Sequence, residues 1–310
     1  MLRFVFTDIN GKSVTAFNPV TLDVNMEQGV PCDDMSAVFA YFDCDELVEV
    51  KLFDDDKALF YGIIDEQQIL SSASGEYIKI VARSMASKLV DNESEPISYM
   101  HPDTFVIESH HITPFGLKTR GENVTFYGTQ TVLKGQTNWQ AIEDFSKNAY
   151  NSTVRVNEYG EVDFSGSKKD STVVFSNDGD GIPYTKFAQV NKRCEEISKV
   201  RIKVTNSCGY NSVVENKDAT KRKIQRERYL NSVLTDTPVE YADKMIKNGR
   251  EKAYYITLEC VGQHLSVFNS NAKVKNSICK DIDNLYVSSI RYQLSSKKDV
   301  TIVTLKRKEV

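Results

Sequence analysis

Long apolar runs are missing from these 310 residues. No stretch approaches the roughly 18 apolar residues that a membrane-crossing helix needs, so neither a membrane span nor a membrane partner is expected. The first ten residues lack a basic segment followed by an apolar one, so no secretion signal is expected. Paired cysteines are missing too: Cys32, Cys44, Cys194, Cys208, Cys260 and Cys279 form no C-x-x-C. Reduced thiols acting as small apolar residues are therefore expected, not a disulfide framework. Basic charge is not in excess, since 39 Lys and Arg face 43 Asp and Glu, a net −4. That argues against a nucleic-acid binder with a broad basic face.

Sequence marks of catalysis are equally scarce. The histidines are His101, His110, His111 and His264, without H-E-x-x-H or other ligand spacing. His110 and His111 are neighbours on a predicted helix, so their side chains diverge by about 100° and do not converge on one metal. Ser176-Asn177-Asp178-Gly179-Asp180-Gly181 resembles part of a calcium loop. Were Gly181 its turn glycine, the bidentate acid would fall at Phe187, which cannot ligate, so a solvated loop is expected. The acids Asp33, Asp34, Asp43, Asp45, Glu46 and Asp54 to Asp56 cluster at turns, where solvated faces are the ordinary reading. No Glu stands in an apolar setting that would raise it for acid catalysis; Glu143 sits beside Asp144 and opposite Trp139. G-x-S-x-G, the P-loop and G-x-G-x-x-G are all absent. Asn123-Val124-Thr125 and Asn151-Ser152-Thr153 fit glycosylation, which has no meaning without secretion. No catalytic, cofactor or metal residue is assigned. Lys221-Arg222-Lys223-Ile224-Gln225-Arg226-Glu227-Arg228 is the one basic cluster. It suits a solvated face, with DNA or an acidic partner subunit as the sharper alternative.

What is present is enough for packed cores. Apolar residues make up 40% of the chain and charged ones 26%, and the length allows two or three domains. Strands are predicted at Met1–Phe6, Val20–Met26, Glu46–Phe53, Ala58–Asp65, Ile63–Leu70 and Tyr77–Ala82, with short turns between them. Such spacing suggests a small antiparallel barrel or sandwich. Helices are predicted at Pro102–Ile112, with Asp103 at its start, and at Gly135–Tyr150, with a Thr137/Gln140 capping box and Trp139, Ile142, Phe145 and Ala149 on one side. Val124–Thr131 reads as a strand and Thr153–Phe164 as a hairpin turning at Tyr159-Gly160. Ser165–Gly181 reads as a boundary or long loop. Beyond it, Ile197–Thr205, Tyr254–Val261, Ala272–Ile278, Tyr286–Leu294 and Val300–Lys306 read as strands, with a turn at Ser295–Asp299. Asn211–Thr237 is charged and mixed. Val239–Ala253 is a helix with Ala242, Met245 and Ile246 at helical spacing.

The chain turns on Ile80–Pro96, IVARSMASKLVDNESEP. A strand runs into a short helical piece with Met85, Leu89 and Val90 on its apolar face, leaving Arg83, Ser84, Lys88 and Asp91 for solvent or a partner. Asn92 and Pro96 stop it. This joint resembles the strand–helix joint of the central baseplate hub proteins of contractile phage tails and R-type bacteriocins, the late control protein D-like tail hubs. Arg83-Ser84, Leu89, Asp91-Asn92-Glu93 and Pro96 carry the match. Gly135-x-Thr137-x-Trp139-x-x-Ile142-x-x-Phe145 and the hairpin after it resemble the same family. So do "TLECVGQH" from Thr257 and "LYVSSIRYQL" from Leu285 with "DVTIVTL" from Asp299. The three segments keep the family's order.

The resemblance implies a mainly β, α+β fold: two antiparallel tube-type barrels, residues 1–95 and 173–310, and a small mixed α+β domain at 96–172. A charged, partly helical insertion falls at about 210–253. It implies a non-enzymatic structural hub, a homotrimer adapting a sixfold tail tube to a threefold spike. Expected partners are the spike protein, the tube or a tube initiator, other baseplate proteins and the tape measure, with DNA only if it threads the channel. The expected location is the bacterial cytoplasm during assembly, then the baseplate of the released particle. The alternative is a peptidoglycan hydrolase or carbohydrate-binding tail component.

Overall fold

The computed structural model describes residues 1–166, 169–204, 208–231, 237–277 and 281–308, the side chains of 169 and 170 aside. Cys279, Thr205 and Ile278, singled out above, lie outside the described residues. The chain divides into two compact units. Unit 1 holds Met1–Ser171, Val261–Ser270 and Ser289–Ile302; unit 2 holds Thr172–Cys260, Asn271–Ser288 and Val303–Val310.

Unit 1 opens with seven strands: β1 (Leu2–Asp8), β2 (Ser13–Phe17), β3 (Thr21–Glu27), β4 (Asp34–Ala40), β5 (Leu47–Asp54), β6 (Lys57–Ser72) and β7 (Gly75–Ser84). On β1, β3, β4 and β7 buried positions alternate with outward ones. On β3, Leu22, Val24 and Met26 are buried, and on β1 Phe4 and Phe6 meet Phe39 edge-on at 4.9 and 5.7 Å. Period-two alternation places those rings on one face. All the pairings are antiparallel, in the order β3-β4-β7-β6-β5-β1-β2.

Ala58–Asp65 and Ile63–Leu70 are not two strands. They form one, β6, which absorbs an irregularity between Ile64 and Glu66 against β7. Gly62 belongs there because a Cβ would collide with the Arg83 carbonyl across the ladder. The sequence reading passed over β2 and β4. In β4 the alternation is real, with Met35, Ala37 and Phe39 inside, but turn-prone Pro31 and Asp33 precede it, Asp34 opens it, and the three mask the pattern.

The rest of unit 1 is the mixed layer. It comprises α1 (Ser87–Val90), β8 (Ile97–Met100), α2 (Thr104–His111), β9 (Lys118–Arg120), β10 (Thr129–Val132), α3 (Asn138–Phe145), β11 (Arg155–Val156) and β12 (Glu161–Asp163). Its core gathers Met85, Leu89, Ile107, Trp139, Ile142, Phe145, Val162 and Phe164. Asp103 caps α2 by accepting from the Val106 amide at 2.9 Å. The chain leaves that region through Gly116 at φ +73°, a left-handed turn that favours glycine. Of the predicted strand Val124–Thr131 only Thr129–Thr131 is a strand, as part of β10, which pairs with β8. The capping box of α3 is formed, and α3 passes at Ser146–Tyr150 into a wider π turn. Late in the chain, Ser289–Leu294 returns to pair antiparallel with β3.

Unit 2 uses most of β13 (Lys169–Ser176), β14 (Lys186–Asn191), β15 (Lys199–Lys203), β16 (Ser212–Glu215), α4 (Lys217–Lys221), β17 (Glu227–Asn231), α5 (Pro238–Ala253) and β18 (Tyr254–Val261). It also takes parts of β19 (Ser270–Lys275), β20 (Ile282–Ser295) and β21 (Lys298–Arg307). The stretch read as a loop at Ser165–Gly181 contains β13, whose Phe175 is fully buried. Its polar, glycine-rich flanks hid a three-residue apolar core, Val173–Phe175. From the charged stretch, β16 pairs antiparallel and β17 parallel with β15 before it. Val200, Ile202 and Leu230 face Ala242 and Ile246 of α5. The class expected from the sequence, mainly β with some helix and antiparallel sheets, is the one this chain adopts.

Candidate functional site

The joint after β7 is built as a knot of charge. The Arg83 guanidinium is held on both sides, by Asp65 at 2.7 and 2.8 Å and by Asp91 at 2.7 and 3.0 Å. Each is a charge-assisted, forked contact, and Arg83 draws the Asp91 carboxyl below its ordinary value. Arg83 is thus engaged inside the fold, not left over for solvent or a partner. Ser84 also departs from the sequence reading: it is buried, and its Oγ accepts from the Asp33 amide at 3.1 Å while its own amide donates to the Asp33 carbonyl at 2.8 Å.

Asp33 was read as a solvated turn acid, and the structure corrects this. It is 8% exposed, and its carboxylate accepts from Arg155 Nη2 at 2.8 Å. The Arg155 guanidinium in turn lies 4.1 Å from the centre of the Phe268 ring. Burial pushes the Asp33 carboxyl up, and Arg155 and the Glu27 amide pull against that. One buried ion pair therefore pins the segment before β4 to β11 and to the turn before β19. No local signal marks it, because the partners are 122 residues apart.

The histidines do not converge. His111 points inward, and His110 lies exposed against Tyr99 at 5.5 Å. His101 leans on Tyr127 at 6.2 Å, and His264 Nε2 sits 2.9 Å from the Val261 carbonyl. The environment of His111 fixes its tautomer. Asn138 spends its amide nitrogen on the Asn92 and Glu93 carbonyls, so its Oδ1, 3.0 Å from Nδ1, accepts. Nδ1 therefore carries the proton and also faces Ser94 Oγ at 3.2 Å, while Tyr99 donates to Nε2 at 3.1 Å. Burial holds this imidazole below its ordinary pKa. A ring with both nitrogens spent on structure is neither a ligand nor a general base.

Glu143 is paired with Lys147 at 3.0 Å, one helical turn on. Half-buried Asp144 beside it is pushed up, chiefly by burial, a shift with no local signal in the sequence. In the loop resembling a calcium site, Asn177 Oδ1 accepts from the Tyr184 amide at 2.9 Å, and Phe187 is part of β14. Among the described residues no group of three or more His, Cys, Asp or Glu could hold a metal ion. Of the basic cluster, Arg222 grips Glu196 and Arg226 lies 4.0 Å from Glu195, while Lys221 and Lys223 are exposed. At the first sequon, Asn123 Oδ1 accepts from the Phe105 amide and Nδ2 donates to Asp103.

These groups tie elements together and assemble no reactive centre among the described residues. No protein-family model matches the chain, and no curated protein matches it. Solved structures do. A tail protein from Neisseria meningitidis MC58 superposes with a TM-score of 0.76 at 16% identity, covering 99% of this chain and 96% of that one. The chain has the fold of this tail protein. The tail fold recurs in the 43 kDa tail protein of prophage MuSo2 from Shewanella oneidensis, with a TM-score of 0.75 at 13% identity over 98% of both chains. It recurs again in an Escherichia coli type VI secretion component described as structurally similar to the T4 tail proteins gp27 and gp5. There the TM-score is 0.57 at 7% identity, covering 94% of this chain and 74% of that one.

Proposed function

We propose that this protein is the structural hub of a contractile tail baseplate or related injection particle. In this reading three copies close into a ring between tube and spike, and the protein has no turnover of its own. The observation that carries the reading is the end-to-end match to tail proteins, 99% of this chain against 96% of the Neisseria one, together with the matching order of the joint motifs. Two β-rich thirds in one chain could stand in for two subunits of a sixfold ring, so three chains would suffice. Residues 1–95, 96–172 and 173–310 would be the first barrel, the mixed domain and the second barrel.

Imaging the assembled particle tests the reading: three copies in one ring support it, and six overturn it. A zymogram tests the rival. A peptidoglycan hydrolase clears the gel and loses that clearing when one carboxylate is replaced, whereas a hub clears nothing.

A further inference from the structure

The two units differ sharply in charge. Unit 1 carries 17 Lys and Arg against 28 Asp and Glu, a net −11, and unit 2 carries 22 against 15, a net +7. The modest total of −4 conceals this division.

On unit 2, Arg222, Arg226 and Arg250 are engaged by Glu196, Glu195 and Asp218. Lys217, Lys221 and Lys223, on and just after α4, are exposed and make no ion pair among the described residues. On unit 1, Asp43, Asp45 and Glu46 are exposed between β4 and β5, and likewise make no ion pair among the described residues. Their field is felt locally. The Cys44 thiol is pushed up first by burial and then by Asp43, Asp45 and Asp8.

Opposite charge on two parts of one chain constrains how copies can meet. An isologous contact made by one unit alone sets that unit against its own copy, so acidic unit 1 would face acidic unit 1. A head-to-tail contact sets −11 against +7, and a head-to-tail contact whose rotation closes gives a cyclic ring. We propose that the basic unit 2 of one copy docks on the acidic unit 1 of the next, and that this attraction disfavours contacts of like unit on like. The proposal rests on the ring reading above and adds to it what draws the copies together.

Sedimentation of the full chain over a salt series tests it. Raising NaCl from about 50 mM to about 500 mM shortens the screening length severalfold, so association should weaken by about tenfold or more. Replacing Lys217, Lys221 and Lys223 with Glu takes unit 2 from +7 to +1 and should weaken association at low salt to a similar degree. The salt series needs no variant, so a misfolded variant leaves the test standing. Association that ignores salt, or a monomer at every salt, overturns the charge-driven contact. So does a triple variant that is folded by circular dichroism, associates normally and has lost binding to a short DNA duplex, since the basic unit would then be a nucleic-acid surface. The ring itself is judged separately, by copy number in the imaged particle.

Discussion

At the scale of single residues, the strongest commitments are buried polar groups with fixed partners. Asp33 and Arg155 bring one charge each into unit 1. Removing one member leaves the other poorly solvated, which costs about 3–5 kcal/mol when both are fully buried. Arg155 keeps 24% of its side chain exposed, so Asp33→Ala should cost about 2–3 kcal/mol in a urea titration; an unchanged midpoint would show the pair to be idle. His111 gives a pH dependence. Its folded pKa lies below the ordinary 6.5, so below that pH the unfolded chain binds a proton that the fold refuses. Stability should therefore fall as pH drops from 7.5 to 5 and be flat, from this source, above 7.5. Denaturation midpoints at the two pH values check this. His111→Gln is less stable throughout but should lose that part of the slope. A slope identical in the variant would assign it to other groups.

At the scale of elements, local pattern and observed structure agree where the sequence carries its own punctuation. Thr137 and Gln140 were read as a capping box, and both bonds exist. Thr137 Oγ1 accepts from the Gln140 amide at 3.2 Å, and Gln140 Oε1 accepts from the Thr137 amide at 2.8 Å. Thr137→Ala should therefore cost about 1 kcal/mol, read as a shift in the urea midpoint. A shift under a few tenths would mean that packing of Trp139 and Ile142 alone holds the helix start. The strands with clean alternation, β1, β3, β5, β7 and β18, were legible for the same reason. What was not legible depends on distant partners. The five residues of β2 alternate weakly and are held by β1, and β13 hides its apolar centre between polar flanks. Arg83 and Ser84 look free in sequence because Asp65 and the Asp33 backbone, which engage them, are set by the β6–β7 and β4–β7 registers. The absence of catalytic motifs could be read from the sequence. The buried Asp33–Arg155 pair and the His111 knot could not, since nothing local distinguishes a turn acid from a buried one.

At the scale of the whole molecule, the tryptophan's core and the small core under α5 draw on different units, and this makes the chain's unfolding testable unit by unit. Trp139 is the sole tryptophan and sits in the core of the mixed layer, 6% exposed, with Ile142 and Phe145. Its fluorescence therefore reports on unit 1. The small core under α5 consists of Ile197, Val200, Ile202, Leu230, Ala242 and Ile246, all of them in unit 2 and none on a strand divided between the units. No residue of that core belongs to the tryptophan's core. Ile246→Ala removes buried methylene groups from that core and should cost it about 2–4 kcal/mol. Amide hydrogens of β15 and β17 should then exchange about tenfold or more faster, since each 1.4 kcal/mol of lost local stability is a factor of ten. The tryptophan midpoint should stay where it was. Were the whole chain one cooperative block, both signals would move together by the same free energy, and a Trp139 midpoint that follows Ile246→Ala would refute the separation into two units.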